Sequence, residues 1–273
     1  TGGAGGAGVP TNADTATFDT NSGTSATVTV ASTAVSLSTT VNKSDITLSL
    51  SGSPTLCAST GTLTLTNGTI SLGANTLTVG LFSSNNSNAR TINFGTGSII
   101  VNCTTITSTV WNITTTTNLT ISGTPNVTFS CSGAGGFNMT NGSLSESSSI
   151  NFTFNGSSGA IFKIQQNFDG CKNFTVNHTS QTIQTQNSTN ITIYGNLLIS
   201  GSTQAVFSQG TNSTVIFAAT SAKTITTNAG ISAGNGLGFV FNGVSGSWTL
   251  QDNLDLTAGS NTTITPVSYT HLR

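Results

Sequence analysis

Short runs of alternating apolar and polar residues recur along the whole chain, about every ten residues. The first half contains Thr15-Ala-Thr-Phe18, Ala26-Thr-Val-Thr-Val30, Ile46-Thr-Leu-Ser-Leu50, Thr62-Leu-Thr-Leu-Thr66 and Thr76-Leu-Thr-Val79. Further on come Asn126-Val-Thr-Phe129, Ile150-Asn-Phe-Thr-Phe154, Ile191-Thr-Ile-Tyr194, Val215-Ile-Phe217, Phe239-Val-Phe241 and Trp248-Thr-Leu250. A period of two places Val, Ile, Leu and Phe on one face of a strand and Thr, Ser and Asn on the other. No window sustains the 3.6-residue period of a helix. Gly, Ser and Asn fill the gaps as turn residues.

The pattern predicts an all-β protein, a parallel β-solenoid (β-helix) of short Thr/Asn-rich strands. In such a fold, turns of about 20 to 30 residues stack over one shared core. An antiparallel β-sandwich, as one or two domains, is the alternative. Five Asn-Gly pairs, at Asn67, Asn141, Asn155, Asn235 and Asn242, speak for it as hairpin signals. The organisation expected is a Gly-rich segment or cap over 1–24 and a continuous solenoid over 25–265. Residues 266–273, Pro266-Val-Ser-Tyr-Thr-His-Leu-Arg273, resemble a translated sequencing adapter and are expected not to be native. With neither an initiator Met nor a signal peptide, the chain is expected to be mature, cleaved or incomplete.

Composition narrows the function classes. Charged residues make up 5% of the 273 residues and the net charge is −1. No basic patch exists to neutralise phosphates, which argues against nucleic acid as a partner. Apolar runs such as Ser98-Ile-Ile-Val101 fall far short of a membrane span, so no membrane insertion is expected. Solubility must come from hydroxyls and amides, since Thr numbers 54 and Asn 29.

Cys57, Cys103, Cys131 and Cys171 form no CxxC pair, and with two His in the chain a zinc site is not indicated. An exported location favours disulfides. Neighbours along a stacked fold would pair Cys57 with Cys103 and Cys131 with Cys171. Four buried free thiols are the competing reading.

Several stretches carry a resemblance. Gly5-Gly-Ala-Gly-Val-Pro-Thr-Asn-Ala-Asp-Thr-Ala-Thr-Phe-Asp-Thr-Asn-Ser-Gly23 resembles the opening motif of repetitive secreted or phage-associated β-solenoid proteins of environmental bacteria and phages. Ser83-Ser-Asn-Asn-Ser-Asn-Ala-Arg-Thr-Ile-Asn-Phe-Gly-Thr-Gly97, Phe217-Ala-Ala-Thr-Ser-Ala-Lys-Thr-Ile-Thr-Thr-Asn228 and Gly246-Ser-Trp-Thr-Leu-Gln-Asp-Asn-Leu254 resemble later stretches of the same group. The resemblance implies a tail-fibre-like or adhesin-like extracellular protein and carries over no catalytic residue.

The chemistry available to an enzyme is sparse. The acids are Asp14, Asp19, Asp45, Glu146, Asp169, Asp252 and Asp255. Asp252 and Asp255 are the one close pair in a strand-like segment, and their odd spacing sends them to opposite faces. Asp14 and Asp19 read as turn caps, with a weak Ca²⁺ site as the sharper alternative. His178 has no acid or Cys beside it in sequence. The Gly2 to Gly8 run lacks the Lys-Ser/Thr and the helix of a phosphate loop. No catalytic residue, metal ligand or cofactor is expected.

Asn-X-Ser/Thr triplets are more frequent. There are 17, at Asn42, Asn67, Asn85, Asn102, Asn112, Asn118, Asn126, Asn138, Asn141, Asn151, Asn155, Asn173, Asn177, Asn187, Asn190, Asn212 and Asn261. Chance alone would supply about 10 from this composition. In a strand such as Asn118-Leu-Thr or Asn151-Phe-Thr, Asn and Thr share the outer face and the middle residue is buried. The same alternation writes sequons without any glycan being intended. Trp111, Tyr194 and Trp248 could stack on sugars if exposed, and core packing is the plainer reading. Thr27/Thr29, Thr62/Thr64/Thr66, Thr76/Thr78, Thr105/Thr107 and Thr224/Thr226 are hydroxyl doublets of the kind that line ice-binding solenoids, but no fixed period joins them.

The function expected is that of a non-enzymatic extracellular structural protein, a subunit of a glycosylated fibre, filament or surface layer at a cell or virion surface. Its partners would be further copies of itself and covalent glycans. A receptor- or glycan-binding module of a phage tail fibre or bacterial adhesin is the alternative, and an ice-binding solenoid a minor one.

Overall fold

The computed structural model describes residues 10–104, 109–133, 135–177, 181–186, 188–200, 205–208, 212–228, 231, 236–254 and 263–266. The fold is all-β: short strands coil into parallel stacks, a β-solenoid of about nine turns in all. The described residues fall into two compact units, the first ending at Thr128 and the second starting at Phe129, with Thr109 grouped with the second.

The strands run in order β1 (Thr15–Phe18), β2 (Thr27–Val30), β3 (Ser38–Leu50), β4 (Thr55–Ser71), β5 (Thr76–Ser83), β6 (Arg90–Asn93), β7 (Ser98–Val101), β8 (Thr109–Ile113), β9 (Leu119–Ser122) and β10 (Asn126–Phe129). They continue as β11 (Gly135–Asn141), β12 (Ile150–Phe154), β13 (Ala160–Val176), β14 (Thr182–Thr185), β15 (Asn190–Ile193) and β16 (Leu197–Ile199). The last are β17 (Ala205–Ser208), β18 (Thr214–Phe217), β19 (Ala222–Thr226), β20 (Gly238–Phe241), β21 (Ser247–Leu250) and β22 (Thr263–Pro266). Among the described residues the first strand begins at Thr15, inside the 1–24 segment.

In the first unit β1 pairs with β3, placing Phe18 opposite Val41. A second face stacks β2, β3, β4, β6 and β9 in parallel, with Val28, Leu48, Ile70, Ile92 and Ile121 in one inward row. Leu63, Phe82 and Trp111 form another row, in which the Phe82 and Trp111 rings stack with centroids 4.8 Å apart.

The second unit is richer in aromatic rings. Phe152, Phe174, Leu197, Ile225 and Leu250 align from coil to coil. So do Phe168, Ile191, Val215, Phe239 and Ile264. Phe129 stacks on Phe154 at 5.2 Å, and Phe154 meets Phe174 at 4.7 Å. A parallel coil puts the same strand position above itself at every turn, so apolar residues make continuous columns. Each buried Phe contributes about 2–3 kcal/mol of apolar transfer.

The Asn-Gly pairs at Asn67, Asn141, Asn155 and Asn242 do not make hairpins, because every strand pairing among the described residues is parallel, and Asn235 lies outside them. Asn67 and Gly68 lie within β4, where Gly68 has φ +95° and turns the strand from one face to the next. Gly95 and Gly123 mark another corner, with φ of +56° and +85°. A Cβ on Gly123 would strike the Gly95 backbone, and one on Gly95 would strike Gly73, so successive coils meet there backbone to backbone.

Candidate functional surfaces

The acids within the described residues are spent on turns and on links between coils. Asp14 accepts from the Thr11 hydroxyl at 2.6 Å and the Thr11 N–H at 2.9 Å, which hold its carboxyl below its ordinary pKa. Asp19 caps Asn21 N–H at 2.8 Å. Asp45 takes the Ser25 N–H at 2.7 Å and pairs with Lys43 at 3.4 Å, and the Ser25 bond is the main reason its pKa is lowered. Asp169 accepts from Thr192 at 2.6 Å and Ser143 at 3.3 Å. Glu146 takes the Thr220 hydroxyl at 2.8 Å across 74 residues of chain.

Asp252 accepts from the backbone N–H and hydroxyl of Thr227 and from the N–H of Asn228. Burial alone would raise its pKa, but these donors outweigh it and hold the carboxyl below the usual value. Asp255, His178 and the Gly2 to Gly8 run lie outside the described residues. Among the described residues, no group of three or more His, Cys, Asp or Glu could hold a metal ion. No helix there is long and apolar enough to cross a membrane.

The disulfide expectation is corrected, since all four cysteines are buried thiols. Cys57 stands opposite Val79, whereas Cys103 is bridged directly to Ser59, two residues further along the chain from Cys57. Cys131 lies beside Ser157, whereas Cys171 faces Ile150 and Ile193 in a different column. Burial pushes the Cys57 thiol pKa up, and burial with the nearby Asp169 charge pushes that of Cys171 well up.

The sequons divide by position. Asn42, Asn85, Asn102, Asn118, Asn155, Asn177 and Asn212 are exposed. Asn67, Asn112, Asn126, Asn138, Asn151, Asn173 and Asn190 are half-buried on outward strand positions or corners. Asn141 contradicts the expectation: it is fully buried and donates its side-chain amide to the Asp169 carbonyl. Asn187 and Asn261 lie outside the described residues. Trp111 and Trp248 are core residues and Tyr194 is half-buried, so neither indole is presented to a sugar.

Three features escaped the sequence reading. Arg90 is buried, and its guanidinium donates to Ser84 Oγ and to the carbonyls of Ser84, Asn88, Thr115 and Thr117. It thereby pins the loop before β6 to the loop one coil on. Asn151, Asn173 and Asn196 form an asparagine ladder that ends on Thr224. No sequence signal marked either, because a lone Arg reads as surface charge and a ladder requires the register.

The third feature is the outer side of the β2–β3–β4–β6–β9 face. Thr27, Thr47, Thr69, Thr91 and Thr120 stand in one column, and Thr29, Ser49, Ser71, Asn93 and Ser122 in the next. All ten point outward, exposed or half-buried. Only Thr27/Thr29 among the doublets noted in the sequence contributes to this array, and Thr105/Thr107 lies outside the described residues. The steps from coil to coil are unequal, 20 residues from Thr27 to Thr47 and 29 from Thr91 to Thr120, so no period shows in the sequence.

Comparison with family models, curated proteins and solved structures gives no match for this chain.

Proposed function

We propose that the protein is a non-enzymatic structural subunit of an extracellular fibre, filament or surface layer, decorated with glycans. The observation that carries this reading is the division of labour across each coil. Apolar columns fill the interior, the outside is almost wholly uncharged Thr, Ser and Asn, and the described carboxylates are committed to holding turns and coils together. Such a surface resists charge-driven partners and leaves backbone edges and amides as its means of association. Exposed sequons such as Asn42, Asn102, Asn155, Asn177 and Asn212 give glycans a place to extend without disturbing the core.

The test is cryo-EM of the native particle together with glycopeptide mass spectrometry. A helical filament with branched density at these exposed asparagines, and a bare Asn141, is the expected result. A discrete trimer with unmodified asparagines would overturn the reading in favour of a receptor-binding tail-fibre or adhesin module.

A further inference from the structure

We propose that the outer face of the β2–β3–β4–β6–β9 sheet binds the surface of an ice crystal. The face offers two columns of five side chains, six Thr, three Ser and one Asn, held in register by parallel pairing. Neighbouring strands lie about 4.8 Å apart and alternate residues along a strand about 6.7 Å apart. The array is therefore a small rectangular net of nine hydroxyls and one amide, Asn93, whose Oδ1 accepts from the Gly95 N–H and the Ser122 hydroxyl. A partner with a repeating net of donors and acceptors matches it, and the oxygen lattice of ice is such a partner.

The face is held in register for reasons the chain supplies. Backbone hydrogen bonds run past both edges of the array, from Thr47 N–H to Ala26, Ser51 N–H to Val30, Arg90 N–H to Asn118 and Phe94 N–H to Ser122. The Gly73, Gly95 and Gly123 corner beside the second column brings successive coils into backbone contact. Thr is restricted at χ1 by its β-branch, so the hydroxyl and methyl positions are set before any contact is made.

Other occupants fit less well. None of the ten residues is charged, the Arg90 beside Thr91 is buried, and Lys43 and Asp45 are tied to each other at 3.4 Å, so an ionic partner finds no complement. None is aromatic, so the C–H faces of a polysaccharide have no ring to stack on. A second copy of the chain would have to dehydrate polar side chains while burying little apolar area. Two sequons flank the face, at Asn67 and Asn118, and Asn118 already donates its amide to the Ser87 carbonyl at 2.9 Å. The proposal requires both to be bare.

The experiment measures thermal hysteresis and ice recrystallisation on the unglycosylated chain, with adsorption to microcrystalline cellulose and chitin in parallel. The variants are Thr69→Tyr with Thr91→Tyr on the face, and Thr153→Tyr with Thr175→Tyr on outward positions of the second unit. Circular dichroism and melting establish that each variant is folded. A folded Thr69/Thr91 variant that loses ice activity, beside a second-unit variant that keeps it, is the expected result. Absence of ice activity in the parent chain, or equal loss in both variants, overturns the proposal. Binding to cellulose or chitin without ice activity also overturns it and assigns the face to a polysaccharide lattice.

Discussion

Asn173 donates its side-chain amide to Asn151 Oδ1 at 2.7 Å on the coil before and accepts the Asn196 N–H at 2.8 Å on the coil after. One side chain thus ties three coils through a single amide plane. Replacing it with Ala removes both bonds and should lower the stability of the second unit by about 1–2 kcal/mol. Chemical denaturation followed by circular dichroism measures this. An Asn196→Ala variant keeps its backbone N–H on Asn173 and loses instead the bonds that Asn196 Oδ1 accepts from the Thr224 N–H and hydroxyl, so the double variant should cost about the sum of the two.

Arg90 does for the first unit what the asparagine ladder does for the second, but from inside. Its donors meet four carbonyls and a hydroxyl. Arg90→Lys keeps the charge and loses the planar fork, so several of these acceptors go unmet. The expected loss is about 2 kcal/mol or more in the denaturation midpoint analysis. Arg90→Met should be at least as damaging.

Acid should weaken the second unit through Asp252. Its folded pKa is depressed, so its contribution is complete above the unfolded value of about 3.9 and is lost as pH falls through the folded value. Stability is expected to fall below about pH 4 on this account. The carboxyl is largely solvated, so screening keeps the effect small, about 1 kcal/mol. Asp252→Asn should lower stability at neutral pH and flatten the acid limb of a melting-temperature profile.

The buried thiols give the opposite pH dependence. The pKa values of Cys57 and Cys171 are raised in the folded state, so their contribution is complete below the unfolded value of about 8.5 and fades as pH rises through the folded ones. The native protein should react slowly with Ellman's reagent at pH 8. In denaturant all four cysteines should titrate, with or without prior reductant, because none is held in a disulfide. Two or fewer in the unreduced sample would contradict the structure.

The strands were legible because a period of two leaves its mark on every run, from Thr15-Ala-Thr-Phe18 to Trp248-Thr-Leu250. Their parallel stacking followed from the even texture, although Asn67-Gly68 and its kin imitate hairpins. The register was not legible. Corners absorb chain segments of different length, so the five-Thr column from Thr27 to Thr120 is invisible until the coils are laid on one another. Cys57 and Cys103 looked like stacking partners for the same reason, but Cys103 stacks on Ser59 and Cys57 on Val79. Asn141 shows that a sequon written by alternation can fall where the chain turns inward and its amide is used.

The parallel ladders have a mechanical consequence. Within each unit a coil is bonded mainly to the coils directly before and after it. Tension applied along the chain therefore loads one rung at a time, and the stack can peel in steps. A released coil of about 20 to 30 residues lengthens the chain by roughly 70 to 100 Å before the next rung bears load. A thread built this way gives ground gradually under pull and dissipates work at every step.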